Sequence, residues 1–204
     1  ESGSMLRGGW MNIGATKGHA DFVLSHGTLH ISDKLDMGLS SNVNSSMVLA
    51  DGSLLLQEDG GDTPDHEMKI GVYGPSLVAL TNSTIEANGC LFVGYRAPAS
   101  LSLNDSTGRV GVKCYIGHYD NGTGLVNLCS SYFFSSNQIR VGVQGHGELH
   151  ATNSTLVAGG DEYIGQKVDR GQGWLELANS TNIIGGVMSI GHEAGTWGLC
   201  ELQP

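Results

Sequence analysis

Two groups of residues in this chain have side chains suited to holding or transforming something: one dense run of acids, and eight scattered histidines. The acids Glu58, Asp59, Asp62, Asp65 and Glu67, with His66 among them, crowd the segment QEDGGDTPDHE. Oxygen donors at that density suit a hard cation such as Ca²⁺. Their spacing does not follow a known calcium loop, so a solvated surface loop is the expectation and Ca²⁺ at Glu58–Glu67 the competing one. Among the histidines, His118 and His192 each follow an aliphatic-Gly pair, and His26, His30, His146 and His150 fall at turn or outward positions. No H-x₃-H pair has an obvious third ligand, so surface histidines and no metal are expected. No Ser/His/Asp constellation or phosphate loop is present. The paired carboxylates that cleave polysaccharides are not evident on one face either. The expectation is a protein that is not an enzyme and needs no cofactor.

A third group is chemical in a different sense. Asn44, Asn82, Asn104, Asn121, Asn153 and Asn179 each open an Asn-x-Ser/Thr triplet, the acceptor pattern for N-glycans. Four of the six lie at or beside one recurring corner, where turn chemistry alone favours Asn-Ser-Thr. Thr84, Thr107, Thr155 and Thr181 recur at that corner too, but Ser131 and neighbouring Asn break the flat Thr array that an ice-binding face requires.

What positions these residues is a repeat. Val141–Gly165 reads VGVQGHGELHATNSTLVAGGDEYIG, and the unit recurs along the chain. Its closing glycines are Gly14, Gly38, Gly71, Gly94, Gly117, Gly142, Gly165 and Gly191, separated by 24, 33, 23, 23, 25, 23 and 26 residues. Each unit holds three short runs of strand periodicity. In the third run the residues one and three before each Gly are apolar (Leu91/Val93, Ile139/Val141, Met188/Ile190) and the residue between them is usually polar, such as Lys69, Tyr115 or Arg140. Glu162 is the one breach, a carboxyl where an inward apolar residue belongs. The first run alternates likewise, for example Val78/Leu80 and Leu149/Ala151, and two residues later a turn-type residue follows: His26, Asp51, Asn82, Asp105, Ser130, Asn153 or Asn179.

A period of about two dozen residues with three strands and three corners predicts an all-β fold, a parallel β-helix (β-solenoid) of about eight coils. One coil cannot bury its own apolar face, whereas stacked coils form a continuous core. Asp51, Asn82, Asp105, Ser130, Asn153 and Asn179 are expected to form a corner ladder, and the closing glycines to occupy corners that need positive φ or leave no room for Cβ. A single solenoid domain is expected over residues 1–204, with incomplete coils at 1–14 and 192–204 and an inserted loop at 57–67.

Composition agrees. With 32 Gly among 204 residues, 39% hydrophobic and 15% charged, the chain is too apolar and too regular to stay disordered. A net charge of −10, with only ten scattered Lys and Arg, argues against nucleic acid as a partner. No run is long enough for a membrane span. The opening residues ESGSM carry neither an initiator Met nor a signal-peptide pattern, so earlier residues removed by processing or cloning are expected. The four cysteines form no disulfide framework. Cys114 and Cys200 sit at inward positions, Cys129 at a corner, and Cys90 at an outward or corner position. Free thiols are expected, with a Cys90–Cys114 bridge as the competing arrangement.

The two ends of the chain look complementary. The tail supplies a first run that the head lacks. Written in series, Leu202 aligns with Leu177, Ser4 with Thr181, and Met11 and Ile13 with Met188 and Ile190. An uncovered solenoid end is an open sheet edge. A head-to-tail contact through Met5, Leu6, Met11, Ile13, Trp197, Leu199 and Leu202 is therefore expected, giving an open polymer or a tandem array.

The repeat IG-x-x-G-x-G-x-L, followed by N-S-T-L and then Y-I-G, resembles the Gly-rich parallel β-helix repeats of bacterial surface and autotransporter-passenger-like proteins. The resemblance spans nearly the whole chain and specifies architecture only. It implies an extracellular or surface-displayed rod. The functional expectation is a structural subunit that stacks into a fibre. The alternative is a β-helix that binds or acts on carbohydrate, with the Gln57–Glu67 loop as its working edge.

Overall fold

The computed structural model describes residues 4–58, 66–167 and 170–203. It is a parallel β-solenoid with three sheets of eight strands each and no helix among the described residues. One coil shows the plan. Thr123–Cys129 lies in the first sheet, Tyr132–Ser135 in the second and Gln138–Val141 in the third, after which Gly142 turns the chain into the next rung. Every strand pairs in parallel with its counterpart one coil away.

The alternation read from sequence becomes two faces. Leu49, Leu80, Leu103, Leu128, Ala151 and Leu177 stand in register along the first sheet, and Met37, Ile70, Val93, Ile116, Val141 and Ile164 along the third. All belong to one continuous buried cluster. The second sheet balances volume across rungs. Phe133 is fully buried opposite Gly108, and a Cβ on Gly108 would lie 2.5 Å from the Phe133 ring. The glycine makes room for the largest ring in the core.

The corners carry the conformations that the sequence predicted. His26, Asp51, Asn82, Asp105, Ser130, Asn153 and Asn179 all have φ between 47° and 57°. All eight closing glycines have φ between 64° and 79°. At Gly142 a Cβ would stand 1.9 Å from the Gln172 carbonyl oxygen, so backbone packing as well as φ requires glycine there. The next residue after most left-handed corners is a serine that the sequence reading did not single out. Ser83, Ser106, Ser131, Ser154 and Ser180 each donate Oγ–H to the carbonyl two residues back, at 2.6–2.8 Å. The Oγ of Ser106, Ser131, Ser154 and Ser180 also accepts the N–H of the serine one rung earlier, at 3.0–3.1 Å. This ladder satisfies backbone groups that the corner removes from the sheets.

Two expectations change. Tyr115 and His118 do not lie open to solvent. Phe92 and Tyr115 stack at 4.6 Å on the outside of the third sheet, with Cys90 and Val143, and are buried beneath Tyr95 and His118. Cys90 does face outward, yet this second cluster buries it completely. The cysteines are free thiols.

Glu162 is fully buried where a hydrophobic residue belongs. Burial pushes its carboxyl up to about 7, opposed only by a hydrogen bond from Asn182 Nδ2 at 2.7 Å. Glu162 Oε1 and Asn182 Oδ1 are both buried acceptors without a partner, which a proton on the carboxyl would relieve. A carboxyl raised in the folded state costs stability as pH rises from its ordinary value, near 4.5, to about 7, and the cost is constant above that. Replacing Glu162 with Gln should therefore stabilise the fold by about 3 kcal/mol at pH 8 and by little at pH 4. Urea unfolding of both proteins at the two pH values measures the difference.

Candidate functional site

The three sheets do not end level. At the N-terminal end, Ser4–Gly8 in the second sheet and Met11–Ile13 in the third lie one rung beyond Gly18–Ser25, the last strand of the first sheet. At the C-terminal end the step is reversed. Trp197–Gln203 of the first sheet lies one rung beyond Thr181–Ile184 and Met188–Ile190. One end thus shows two strands of a rung, and the other shows the third.

Both ends expose core-type residues. By register Leu6 and Leu202 are inward residues, yet they are 51% and 77% exposed, whereas Leu177, beneath Leu202, is 6% exposed. Of the eleven exposed large hydrophobic side chains among the described residues, only Tyr73 and Leu77 lie away from the ends. The other nine, including Trp10, Ile183, Val187 and Ile190, sit on or beside the six terminal strands.

The residues expected at a head-to-tail contact divide by register. Leu6, Met11, Ile13 and Leu202 point inward, Ile13 being already buried, whereas Met5, Trp197 and Leu199 point outward. Register also adds Phe22, Leu24, Ile184, Met188, Ile190 and Cys200 to the inward set. The pairing of Ser4 with Thr181 shifts by one residue. Ser4 pairs with Gly27, which precedes the Thr28–Leu54 pair, so Ser4 stands in the column of Ser53, Ser83 and Ser180.

A chain of acids and bases ties the protruding first-sheet strand to the body. His146 Nε2 lies 2.6 Å from Glu148 Oε1, and His150 Nε2 lies 3.0 Å from Glu148 Oε2. His150 Nδ1 lies 2.8 Å from Glu176 Oε2, and Gln203 Nε2 donates to Glu176 Oε1 at 2.6 Å. His150 thus has a carboxylate oxygen within hydrogen-bond distance of each ring nitrogen. The sequence reading placed these histidines outward but did not connect them to Glu148, two residues away on the same strand, or to Glu176, which meets His150 through the stacking.

The remaining expected sites are placed as follows. All six glycan-acceptor asparagines are exposed. Asn82, Asn153 and Asn179 hold the left-handed corner, and Asn179 Nδ2 bonds Asn153 Oδ1 at 2.6 Å. Residues 59–65 of the Ca²⁺ expectation lie outside the described residues. Of its flanks, Glu58 bonds His30 at 2.6 Å and Glu67 pairs with Lys69. No group of three or more His, Cys, Asp or Glu among the described residues is arranged to hold a metal ion. No helix among them is long and apolar enough to cross a membrane. Set beside models of known families, curated proteins and solved structures, the chain matches none.

Hydrogen bonds from His150 and His146 hold the Glu148 carboxyl below the usual carboxylate range, against a smaller opposing effect of burial. A depressed carboxyl stabilises the fold above its ordinary pKa and loses that contribution as pH falls through its folded value. Glu148→Gln should cost about 1 kcal/mol at pH 6 and nearly nothing at pH 3, since the pair is partly exposed and screened. Thermal unfolding across that range tests the sign.

Proposed function

We propose that this chain is a structural module whose ends mate, the N-terminal end of one copy seating on the C-terminal end of another to extend a fibre outside the cell or on its surface. The observation that carries this reading is the matched step: two strands of a rung at one end and the missing third at the other. Continuing the observed registers sets Leu6 over Asn182, Gly8 over Ile184, Met11 over Met188 and Ile13 over Ile190. It also sets Phe22 over Cys200 and Leu24 over Leu202. Ser4 would continue the serine ladder above Ser180. Trp10 and Val187, both exposed and outward, fall on one column.

The driving force is the one that stacks coils within the chain. Apolar side chains leave water, and open strand edges gain hydrogen-bond partners. Linked copies in one longer chain would use the same contact. The likeness of the repeat to bacterial surface and autotransporter-passenger-like β-helices supports an extracellular setting, as do six exposed glycan-acceptor triplets, which in a secreted chain make a glycoprotein.

Electron microscopy of the concentrated chain should show thin rods with an axial repeat of about 38 Å, eight rungs at strand spacing. Ten net negative charges per copy oppose contact, so growth should increase with salt. Phe22→Cys should form an intermolecular disulfide with the native Cys200 under mild oxidation, giving a ladder of covalent multimers, while outward-facing Val23→Cys should not. A chain that stays monomeric at millimolar concentration and high salt, with no Phe22→Cys ladder, would remove the reading.

A further inference from the structure

Away from both ends, one corner column differs from the rest of this acidic surface. The second residue after each closing glycine stacks rung upon rung, and over five rungs these residues are Tyr73, Arg96, Tyr119, Gln144 and Lys167. Their backbones form a ladder: Arg96 N–H to Gly71 O at 3.0 Å, Tyr119 N–H to Tyr95 O at 3.1 Å, Gln144 N–H to His118 O at 3.1 Å, and Lys167 N–H to Val143 O at 2.8 Å. The Arg96 guanidinium lies 4.8 Å from the Tyr119 ring centre and 5.8 Å from that of Tyr73. Stacking uses the faces of the guanidinium and leaves its in-plane N–H groups available. Arg96 and Lys167 are exposed and form no ion pair among the described residues. Beside them Arg96, Tyr119, Asp120, Asn121 and Gln144 line an open concavity, where Asp120 is neutralised by Arg170 at 2.7 Å.

Several cations gather at this corner although the chain carries −10 overall. His118 lies against Tyr95 and Tyr119 beneath the column. Burial first, then Lys167, Arg140, Lys69 and Arg96, hold its ring down to about 4, and its Nδ1 is buried without a partner. A neutral His118 adds no charge of its own, so the column presents Arg96 and Lys167 about 14 Å apart, three rungs at strand spacing.

We propose that this column is a binding track for a linear acidic polysaccharide, a chain of 1,4-linked uronate sugars lying along the solenoid axis. Three features select that ligand class. Pyranose rings present a flat C–H face that packs on tyrosine, and the exposed Tyr73 offers a ring here, while Tyr119 holds the Arg96 guanidinium. A carboxylate is the group that the free N–H fork of Arg96 and the ammonium of Lys167 recognise. Asn121 and Gln144 supply donors and acceptors for hydroxyls. An extended polysaccharide along the axis would cross several rungs at about 4.8 Å each. The track lies away from both ends, and it works in a single copy whether or not copies stack.

The test is titration calorimetry with an alginate hexamer and, as its uncharged counterpart, cellohexaose, with thermal melts alongside. The unmodified chain should bind the alginate hexamer, weaken with salt and ignore cellohexaose. Arg96→Gln, Lys167→Gln and Tyr119→Ala should each weaken binding about tenfold or more, with Arg96→Gln and Lys167→Gln melting as the unmodified chain does. Arg109→Gln removes a cation on another sheet and should leave affinity unchanged. Absence of binding at millimolar hexamer, equal affinity for cellohexaose, or an Arg96→Gln variant that binds as well as the unmodified chain would each overturn the proposal.

Discussion

The structure depends on the parallel hydrogen-bond ladder between rungs. Each strand sends its ladder hydrogen bonds to the strand above and the strand below. Every circuit must therefore return to the same azimuth one strand-spacing higher. That constraint explains why seven non-glycine corners and eight closing glycines share left-handed φ. A corner that failed to turn sharply would set its strand out of register with both neighbours. The serine ladder solves the same problem locally. It returns hydrogen bonds to carbonyls and N–H groups at the bend, where the sheets cannot reach them.

Stacking in register makes columns of everything, outside as well as inside. Inside, the columns are aliphatic, and the exceptions carry a compensation. Phe133 has Gly108 beside it. Gln57 keeps its amide at a corner, bonded to the Asp33 carbonyl at 2.7 Å. Glu162 has only Asn182, so its compensation is protonation. Outside, like charges at strand spacing would repel. The third sheet mixes rings with cations instead: Arg140 stands between Tyr115 and Tyr163, its guanidinium 5.4 and 5.5 Å from the ring centres. The first sheet interleaves His146 and His150 with Glu148 and Glu176.

Among the described strands, each interior one lies between two partners and each terminal one beside a single partner. Interior rungs bury their apolar columns on both sides. The terminal rungs leave Leu6, Ile190 and Leu202 about half or more exposed. Because the three sheets stop at different heights, each end is stepped as well as apolar. Surface charge elsewhere is mostly acidic, and this favours solubility while leaving the ends as the main apolar surface.

The repeat by itself determined the architecture. Period-2 alternation assigned the inward columns, the turn-type residues marked the left-handed corners, and the closing glycines marked the other turn. These are local properties, legible because each depends on residues a few positions apart. The stepped ends were legible for the same reason, although Ser4 falls one column from where alignment placed it. Only the tertiary structure decided which outward residues meet. The His150–Glu176 contact, the burial of Tyr115 and Cys90 under a second layer, and the Tyr73–Arg96–Tyr119 column all join residues a full coil apart. Coil lengths vary by several residues, so sequence distance does not reveal which side chains share a column. Register does, and register exists only once the rungs have stacked.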